Sequence, residues 1–332
     1  PPIHGARELL GKGLFTLSSV DDLEAISAVA PGSGPCLVIG AGAIGLEAAV
    51  AMKRFRGEVT VAEAQGQILP GVLDPDMSSI LEKRLEKAGI SLKLSCSVES
   101  LSGSGALTGA VAGGKALPCG ICVLAAGFRP NTALASQSGI ALGEYGIAVD
   151  ASMKTSLSGV YAAGDCVSGW SVLDGTSIAA KLATSAYRQG AVAGINAAGG
   201  QAEYRGSAMT FVSEIAGLEV AGTGYTMEAA ARCGFEPVAG KITSPVLPDY
   251  FPGGAEVTVK VIADRKTGRI IGGQAAGERG AAERVNILSA AIEFGIPAHE
   301  LARLEMAYCP AVSEVYDPLL RALDFAIRRL KR

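Results

Sequence analysis

A glycine run set between an apolar segment and an alanine-rich segment constrains this sequence more than any other feature. The run is Gly40-x-Gly42-x-x-Gly45, and it lies between the apolar residues 36–39 and a helical pattern that extends to about Arg54. In such a run the first glycine permits a tight turn, the second lets the backbone approach a pyrophosphate, and the third packs helix against strand. The pattern therefore predicts a strand, a phosphate-binding turn and a helix whose N-terminus faces the phosphates.

An acidic residue follows the glycine run at the distance that a dinucleotide site requires. Glu63 comes eighteen residues after Gly45, at the end of the apolar segment 59–62. A carboxylate in this place binds the ribose hydroxyls. Residues 64–67 contain no cation that would accept a 2′-phosphate, so the sequence favours NAD(H) over NADP(H). The alternative is a glycine-rich turn that only packs the helix against the strand.

The order of elements around this run predicts an α/β fold. A helix over 76–88 and strands over 90–94 and 121–126 continue the alternation, which is typical of a doubly wound parallel sheet. A helix with Ser19 as its N-cap precedes the strand over 36–39. We further expect a strand over 160–163 and a long helix over 178–197.

The sequence changes in character after Gly206. Residues 257–261 alternate between apolar and polar side chains, a turn follows at 264–268, and a second strand pattern passes through 270–272. Helical patterns lie at 280–294 and 314–330. This part predicts a separate α+β domain with an antiparallel sheet.

Composition excludes several classes of protein. Of the 332 residues, 49% are hydrophobic and 18% are charged, which excludes a disordered chain and suggests two or three domains. A net charge of −3 without a Lys/Arg block argues against nucleic acid and anionic membranes as partners. Residues 27–46 are uncharged, but two prolines and five glycines interrupt them, so we expect no membrane span. Seven scattered cysteines favour a reducing, cytoplasmic setting.

A second motif, Ala163-Gly164-Asp165, follows the strand expected at 160–163. An aspartate at the carboxyl edge of a sheet is well placed to accept hydrogen bonds from sugar hydroxyls. The N-terminus of the helix expected from about 178 would face the electron-rich end of a ring system. The alternative is that Asp165 only caps a turn.

Taken together, these segments resemble the flavin-dependent pyridine nucleotide-disulfide oxidoreductase family. The resemblance rests on residues 39–47, on Ala-Ala-Gly-Phe-Arg-Pro-Asn at 125–131 and on 155–165. Tyr-Phe-Pro-Gly-Gly at 250–254 and Met-Ala-Tyr-Cys-Pro at 306–310 are similar to the NADH oxidase and coenzyme A-disulfide reductase branch. The resemblance implies a partial FAD-binding domain at 1–18 and 145–205, an inserted NAD(H)-binding Rossmann-like domain at 19–144, and a C-terminal α+β dimerisation domain at 206–332.

The resemblance also implies roles for individual residues. The cofactors would be FAD and NAD(H), without a metal, and the residues expected to bind them are Gly40, Gly42, Gly45, Glu63, Gly127, Gly164, Asp165, Ala183 and Thr184. The residues expected to act in catalysis are Tyr308, Tyr250 and Glu47. The tyrosines match those that the partner subunit contributes near the flavin, and Glu47 matches a residue beside the nicotinamide that pairs with a lysine of the N-terminal flavin segment. The alternatives are packing roles for the tyrosines and an exposed helical position for Glu47.

The implied activity passes a hydride from NADH to flavin and then to oxygen or to a disulfide or persulfide, within a homodimer. The redox cysteine of such enzymes lies in an N-terminal segment that we expect to be absent from this sequence. Cys119-x-x-Cys122 is interpreted as two packed residues rather than a redox or metal pair. Cys309 stands where two-cysteine reductases have a histidine, which argues against their mechanism. The alternatives are a catalytically incomplete, NAD-binding and dimerising fragment or subunit, and a relative of the ferredoxin and rubredoxin reductases.

Overall fold

The computed structural model describes residues 3–32 and 34–331. The helices are α1 Ala6–Leu9, α2 Val20–Val29, α3 Ala43–Lys53, α4 Pro75–Lys87, α5 Ala133–Gln137, α6 Ala183–Ala197, α7 Met227–Arg232, α8 Ala281–Glu293, α9 Ala298–Leu301 and α10 Pro318–Leu330. The strands are β1 Leu14–Thr16, β2 Cys36–Ile39, β3 Val59–Ala62, β4 Ile90–Lys93, β5 Val98–Ser102, β6 Gly109–Ala112, β7 Lys115–Pro118, β8 Ile121–Leu124, β9 Gly169–Trp170, β10 Ser177–Ile178, β11 Phe211–Ile215, β12 Leu218–Gly224, β13 Pro237–Pro245, β14 Glu256–Asp264 and β15 Ile270–Gly277.

The N-terminal part of the chain forms a parallel sheet, here called the first sheet, in the order β1-β8-β2-β3-β4. All four residues of β2 are buried, as expected for a short apolar run in the middle of a parallel sheet. Because β2 has β8 on one side and β3 on the other, the loops that follow these strands meet at one edge. This edge is the topological switch point, where doubly wound sheets bind their ligands.

The C-terminal part forms an antiparallel sheet, here called the second sheet, in the order β11-β12-β15-β14-β13. Every residue of β14 after Glu256 is buried, so both faces of this strand are covered. Val257, Val259 and Val261 pack in one apolar cluster with residues of α8 and α10. The opposite face carries Lys260 and lies against the start of α4. The predicted fold class, a doubly wound parallel sheet with a C-terminal α+β domain, is confirmed.

Most of the elements predicted from periodicity are present. Ser19 caps α2 as predicted, because its hydroxyl accepts a hydrogen bond from the Asp22 amide at 3.1 Å. The strand expected at 160–163 is wrong: only Tyr161 forms a single bridge there, with Lys154. Gly159 and Gly164 have φ angles of +78° and +86°, so the backbone turns at both ends of this apolar run.

Two helices begin later than predicted. The helix expected from 178 begins at Ala183, because Ser177 and Ile178 pair with β9 instead. The helix expected from 314 begins at Pro318, where proline fits the first helical position and Asp317 caps it by accepting from the Leu319 amide. The small antiparallel sheet β5-β6-β7 was not predicted, since its strands are short and rich in small residues.

The contact between α10 and β13 gives a test of the second sheet. A Cβ added at Gly240 would lie 2.0 Å from the carbonyl oxygen of Ala322 and 2.3 Å from the amide nitrogen of Ala326. We expect Gly240→Ala to displace α10 and to lower the free energy of unfolding by about 1–3 kcal/mol, measured by urea denaturation.

Gly254→Ala is the matched control. In the part of the chain that the structure describes, a Cβ at Gly254 meets no heavy atom within 4 Å. Its free energy of unfolding should stay close to that of the unaltered chain. Equal losses in the two variants would contradict the close packing of α10 on β13.

Candidate functional site

The turn after β2 is shaped by two glycines that admit no side chain. Gly40 has a φ of +101°, and a Cβ there would lie 2.5 Å from the carbonyl oxygen of Ala125. A Cβ at Gly45 would lie 2.1 Å from the carbonyl oxygen of Gly40. The first glycine therefore makes the turn and the third lets α3 pack against it, as the sequence pattern predicts.

The middle glycine has a different environment. Among the described residues, no heavy atom lies within 4 Å of a Cβ built on Gly42. Gly42 is also the N-cap of α3, and no side chain caps this helix within the described ranges. The first N–H groups of α3 therefore face open space at the carboxyl edge of the first sheet. This cradle suits an anion such as a pyrophosphate, which approaches backbone amides most closely where the side chain is absent.

Glu63 borders the same cradle and also shapes it. Its side chain is only 8% exposed. One carboxylate oxygen accepts a hydrogen bond from the Ala41 amide and the other from the Gln65 amide, both at 2.8 Å. Each oxygen retains acceptor capacity for a hydroxyl. The spacing pattern identified Glu63, but not its hydrogen bond to the glycine loop itself.

The loop after β8 lies beside the glycine loop. The Ala125 amide donates to the Ile39 carbonyl at 2.8 Å, and Gly127 has a φ of +87° with open space around its Cβ position in the described structure. Lys181 reaches this loop from the residues before α6. Its ammonium group donates to the Phe128 carbonyl at 2.7 Å and stands 4.5 Å from the centroid of the Phe128 ring. Sequence reasoning missed Lys181, which no spacing rule connects to residue 128.

The residues expected to bind flavin gather at the start of α6 and at the Gly164 turn. Ala183 and Thr184 are exposed at the first positions of α6, for which the described residues supply no side-chain cap. Asp165 is also exposed, and its carboxylate has no hydrogen bond or ion pair within residues 3–32 and 34–331. These groups are free to bind a polar ligand.

Gln189 connects α6 to the Gly164 turn, and sequence reasoning missed it. It is fully buried, and its side-chain oxygen accepts a hydrogen bond from the Gly164 amide at 2.8 Å. Its Nε2 atom has no partner among the described residues. The buried Gln189 side chain therefore fixes the Gly164 turn, and Asp165 comes directly after this turn.

Tyr250 and Tyr308 are brought together although 58 residues separate them. Their hydroxyl oxygens are 3.0 Å apart, and the side chains are 74% and 45% exposed. This hydrogen bond is the main cause that raises the pKa of Tyr308 to about 12. Val312 and Val315 near the pair are 61% and 65% exposed, so the segment presents apolar surface to solvent.

Glu47 lies on α3, one turn after the glycine loop. Its carboxylate accepts a hydrogen bond from the hydroxyl of Ser213 on β11. In the described structure Glu47 therefore pairs with a residue of the second sheet. Glu47 is exposed. The contact connects the helix that begins at the cradle with the C-terminal part of the chain.

The cysteine pair at 119 and 122 is buried. Burial raises the pKa of the Cys119 thiol to about 11 and raises that of Cys122 as well. Thiols that resist deprotonation are poor nucleophiles and metal ligands, which supports the packing interpretation. In residues 3–32 and 34–331 no group of three or more His, Cys, Asp or Glu side chains is arranged to hold a metal ion. No helix in these ranges is long and apolar enough to cross a membrane.

Two family models match the sequence. Residues 1–190 match the pyridine nucleotide-disulphide oxidoreductase model, and residues 210–319 match the dimerisation domain of the same family. The chain belongs to the pyridine nucleotide-disulphide oxidoreductase family. The two matches fall on the first and second sheets respectively.

Similar members of this family are oxidoreductases by name. An NADH oxidase of Methanocaldococcus jannaschii is 37% identical, over 99% of this chain and 73% of that protein. A CoA-dependent NAD(P)H sulfur oxidoreductase of Pyrococcus furiosus is 31% identical, over 87% of this chain and 66% of that protein. The solved structure of an NAD-dependent persulfide reductase from A. fulgidus matches the whole chain with a TM-score of 0.95 at 33% identity. The chain spans 62% of that structure's length.

The tyrosine pair can be tested by titration. Tyr250→Phe removes the hydroxyl partner, so the pKa of Tyr308 should fall from about 12 towards its ordinary value of 10. Because the folded state raises this pKa, the stability that the pair contributes is complete below pH 10 and is lost as the pH rises towards 12. Phenolate absorbance should show one tyrosine fewer titrating late.

Tyr187→Phe is the control. Tyr187 is 77% exposed on α6, and its substitution also removes one phenol from the chain. The substitution leaves the hydrogen bond between Tyr250 and Tyr308 in place, so the titration of Tyr308 should be unchanged. Other tyrosines, such as Tyr225, also have raised pKa values, so the number of late-titrating groups is compared. The same number in Tyr250→Phe as in the unaltered chain would show that the hydrogen bond between the two tyrosines does not form in solution.

Proposed function

We propose that this chain binds NAD(H) at the first sheet and takes part in flavin-linked oxidation of NADH. The observation that carries the proposal is the open cradle at Gly42. It joins the uncapped N-terminus of α3 to the buried carboxylate of Glu63 at the switch point of a parallel sheet. An anion and a ribose are the ligand parts that such a pair of groups recognises.

The preference for NAD(H) follows from charge. Glu63 places a carboxylate where the adenine ribose would bind, and a 2′-phosphate there would be repelled. Residues 64–67 provide no cation to offset this repulsion. Gly127, whose Cβ position also faces open space, leaves room on the other side of the cradle.

For FAD, the residues present fit one part of the cofactor. Asp165 would accept from sugar or ribitol hydroxyls, and Ala183 and Thr184 would direct the N–H groups of α6 towards the ring system. Bound together, the two cofactors would supply hydride transfer from nicotinamide to flavin and onward reduction of an acceptor. The protein holds and orients them, with Glu47 on the helix that begins at the NAD(H) cradle.

Homodimerisation is the second part of the proposal. The family model covers a dimerisation domain at 210–319. The segment around Tyr308 and the nearby Tyr250 expose large side chains to solvent, and Val312 and Val315 are exposed as well. We propose that a second copy of the chain covers it and that Tyr250 and Tyr308 then lie near the partner's flavin.

The acceptor is proposed from the relatives. Similar proteins are named as NADH oxidases, as a CoA-dependent NAD(P)H sulfur oxidoreductase and as an NAD(P)H coenzyme A polysulfide/persulfide reductase. Oxygen, coenzyme A disulfide and persulfide are therefore the acceptors to test. Steady-state oxidation of NADH with each of them, with added FAD, separates these activities.

A second candidate function is an NAD-binding, dimerising unit that does not complete the redox reaction by itself. One observation favours it: the sequence holds a single Gly-x-Gly-x-x-Gly run, whereas two dinucleotides require two pyrophosphate sites. Flavin absorbance that remains with the purified chain after gel filtration would favour the enzyme, and its loss would favour the binding unit.

Cofactor choice gives a direct test of Glu63. Titration of the chain should show NADH binding at least about tenfold tighter than NADPH, a difference of about 1.4 kcal/mol. Glu63→Ala should weaken NADH binding most and NADPH binding least, because the substitution removes both the ribose hydrogen bonds and the repulsion of the 2′-phosphate. Equal affinities of the unaltered chain for the two nucleotides would refute the assignment.

The cradle itself is tested at Gly42. Gly42→Ala places a methyl group in the open space, so it should weaken NADH binding by about tenfold or more, or about 1.4 kcal/mol. The melting temperature should change little, since the new methyl group meets no described heavy atom within 4 Å. Gly190→Ala, a glycine on α6 with the same open surroundings, is the control and should bind NADH normally. Normal NADH binding by Gly42→Ala would place the nucleotide elsewhere.

A further inference from the structure

The segment 64–74, here called the connecting loop, runs from Glu63 to the start of α4 and touches the glycine loop on its way. The Leu69 amide donates to the Ala41 carbonyl at 2.9 Å. Since the Ala41 amide donates to Glu63, both polar backbone groups of Ala41 are engaged. Leu69 has a φ of +46°, a left-handed conformation that costs a branched side chain energy, and it is buried. The surroundings therefore hold this backbone position firmly.

The connecting loop is held at its other end by the second sheet. Asp74 is the N-cap of α4, a position where aspartate normally accepts from the helix amides, yet its carboxylate makes no such bond within the described chain. The carboxylate pairs instead with the Lys260 ammonium at 2.8 Å and accepts a hydrogen bond from the side-chain Nε2 of Gln274 at 3.0 Å. The backbone amide of Met227 donates a third bond to the same carboxylate, at 2.9 Å.

Gln274 also contacts the backbone of the loop. Its side-chain oxygen accepts from the Asp74 amide at 2.9 Å, so one side chain of β15 engages Asp74 twice. Asp74, Lys260 and Gln274 are 4%, 7% and 1% exposed. A buried ion pair is costly to desolvate and adds little net stability, but it admits only a narrow range of geometries. Such a pair suits the fixing of a position.

The middle of the connecting loop lies in an apolar cluster to which the second sheet also contributes. Ile68, Leu69 and Leu73 are buried in one apolar cluster that includes residues of β11, β12 and β15. The loop therefore shares a buried apolar cluster with the second sheet in its middle, and hydrogen-bonded charge joins the two at its end.

We propose that Lys260 and Gln274 are positioning residues for the dinucleotide site, acting through Asp74 and the connecting loop on Ala41 and Glu63. The C-terminal domain would then form part of the NAD(H)-binding apparatus rather than serving assembly alone. This inference rests on the proposed function, since it assigns the cradle to NAD(H).

The test compares two buried ion pairs of equal burial. The double variant Lys260→Met with Asp74→Asn, here called the bridging variant, removes the pair that joins the connecting loop to the second sheet and leaves neither member of that pair charged and alone. Asp76, the second carboxylate that Lys260 contacts, keeps its ion pair with Lys241 at 2.7 Å. Arg284→Met with Asp317→Asn is the control, because this pair lies within the C-terminal part of the chain. The side chains are 8% and 5% exposed in both pairs. Arg84 on α4 donates to the Ala216 carbonyl, between β11 and β12, at 2.7 Å. Because the bridging variant leaves this bond unaltered, we expect α4 to stay in contact with the C-terminal part of the chain.

Two measurements are made on the full chain: hydrogen exchange of the Ala41 and Leu69 amides without nucleotide, and NADH affinity. In the bridging variant we expect faster exchange at both amides and about tenfold weaker NADH binding, a usual size for coupling between sites. The control should match the unaltered chain in both measurements. Lys260→Arg, which keeps the charge, should retain most of the affinity.

The possible outcomes distinguish a failure of this inference from a failure of the proposed function. Unchanged exchange at Ala41 and Leu69 in the bridging variant overturns the inference, and so do equal losses in the bridging and control variants. Absence of NADH binding by the unaltered chain overturns the proposed function and, with it, the assignment of these residues to a nucleotide site.

Discussion

The close approach of α3 to the turn before it is the constraint on which the site depends. Gly45 meets the Gly40 carbonyl so closely that no Cβ fits between them, and Gly40 itself has a backbone conformation that favours glycine. This contact sets the N-terminus of α3 against the carboxyl edge of the sheet. The open space at Gly42 and the neighbouring loop after β8 follow from it. Pyrophosphate binding by backbone amides requires this geometry before any side chain contributes.

The second sheet holds the connecting loop and the start of α4 through buried charged groups. Buried charge usually adds little to stability, yet Lys260 and Asp74 form a buried ion pair where the connecting loop meets the second sheet. The Asp74 carboxylate makes this pair and does not cap α4 in the described structure. Asp76, the second residue of α4, forms ion pairs with both Lys241 and Lys260. Burial alone would raise the pKa of Asp76, but the two ammonium groups outweigh it and hold the pKa below the ordinary value of 3.8. The contact should therefore be complete above that pH and weaken below it.

Sequence periodicity and turn chemistry predict the parts of this fold that local interactions decide. The apolar run of β2, the glycine run and the Ser19 cap are of this kind. Residues 160–163 are apolar too, but the flanking glycines turn the chain, so tertiary context decides against a strand. Lys181, Gln189 and the hydrogen bond of Glu63 to Ala41 join residues that are distant in sequence, so no local pattern predicts them. The roles of Glu47, Tyr250 and Tyr308 in catalysis remain predictions.

The position of bound NADH is the measurement that bears most directly on this account. A crystal structure of the chain with NADH should place the pyrophosphate against the Gly42 backbone and the start of α3, with the adenine ribose hydroxyls on the Glu63 carboxylate and the Ala41 backbone undisturbed. Pyrophosphate bound away from α3, or a Glu63 side chain without contact to the ribose, would contradict the account.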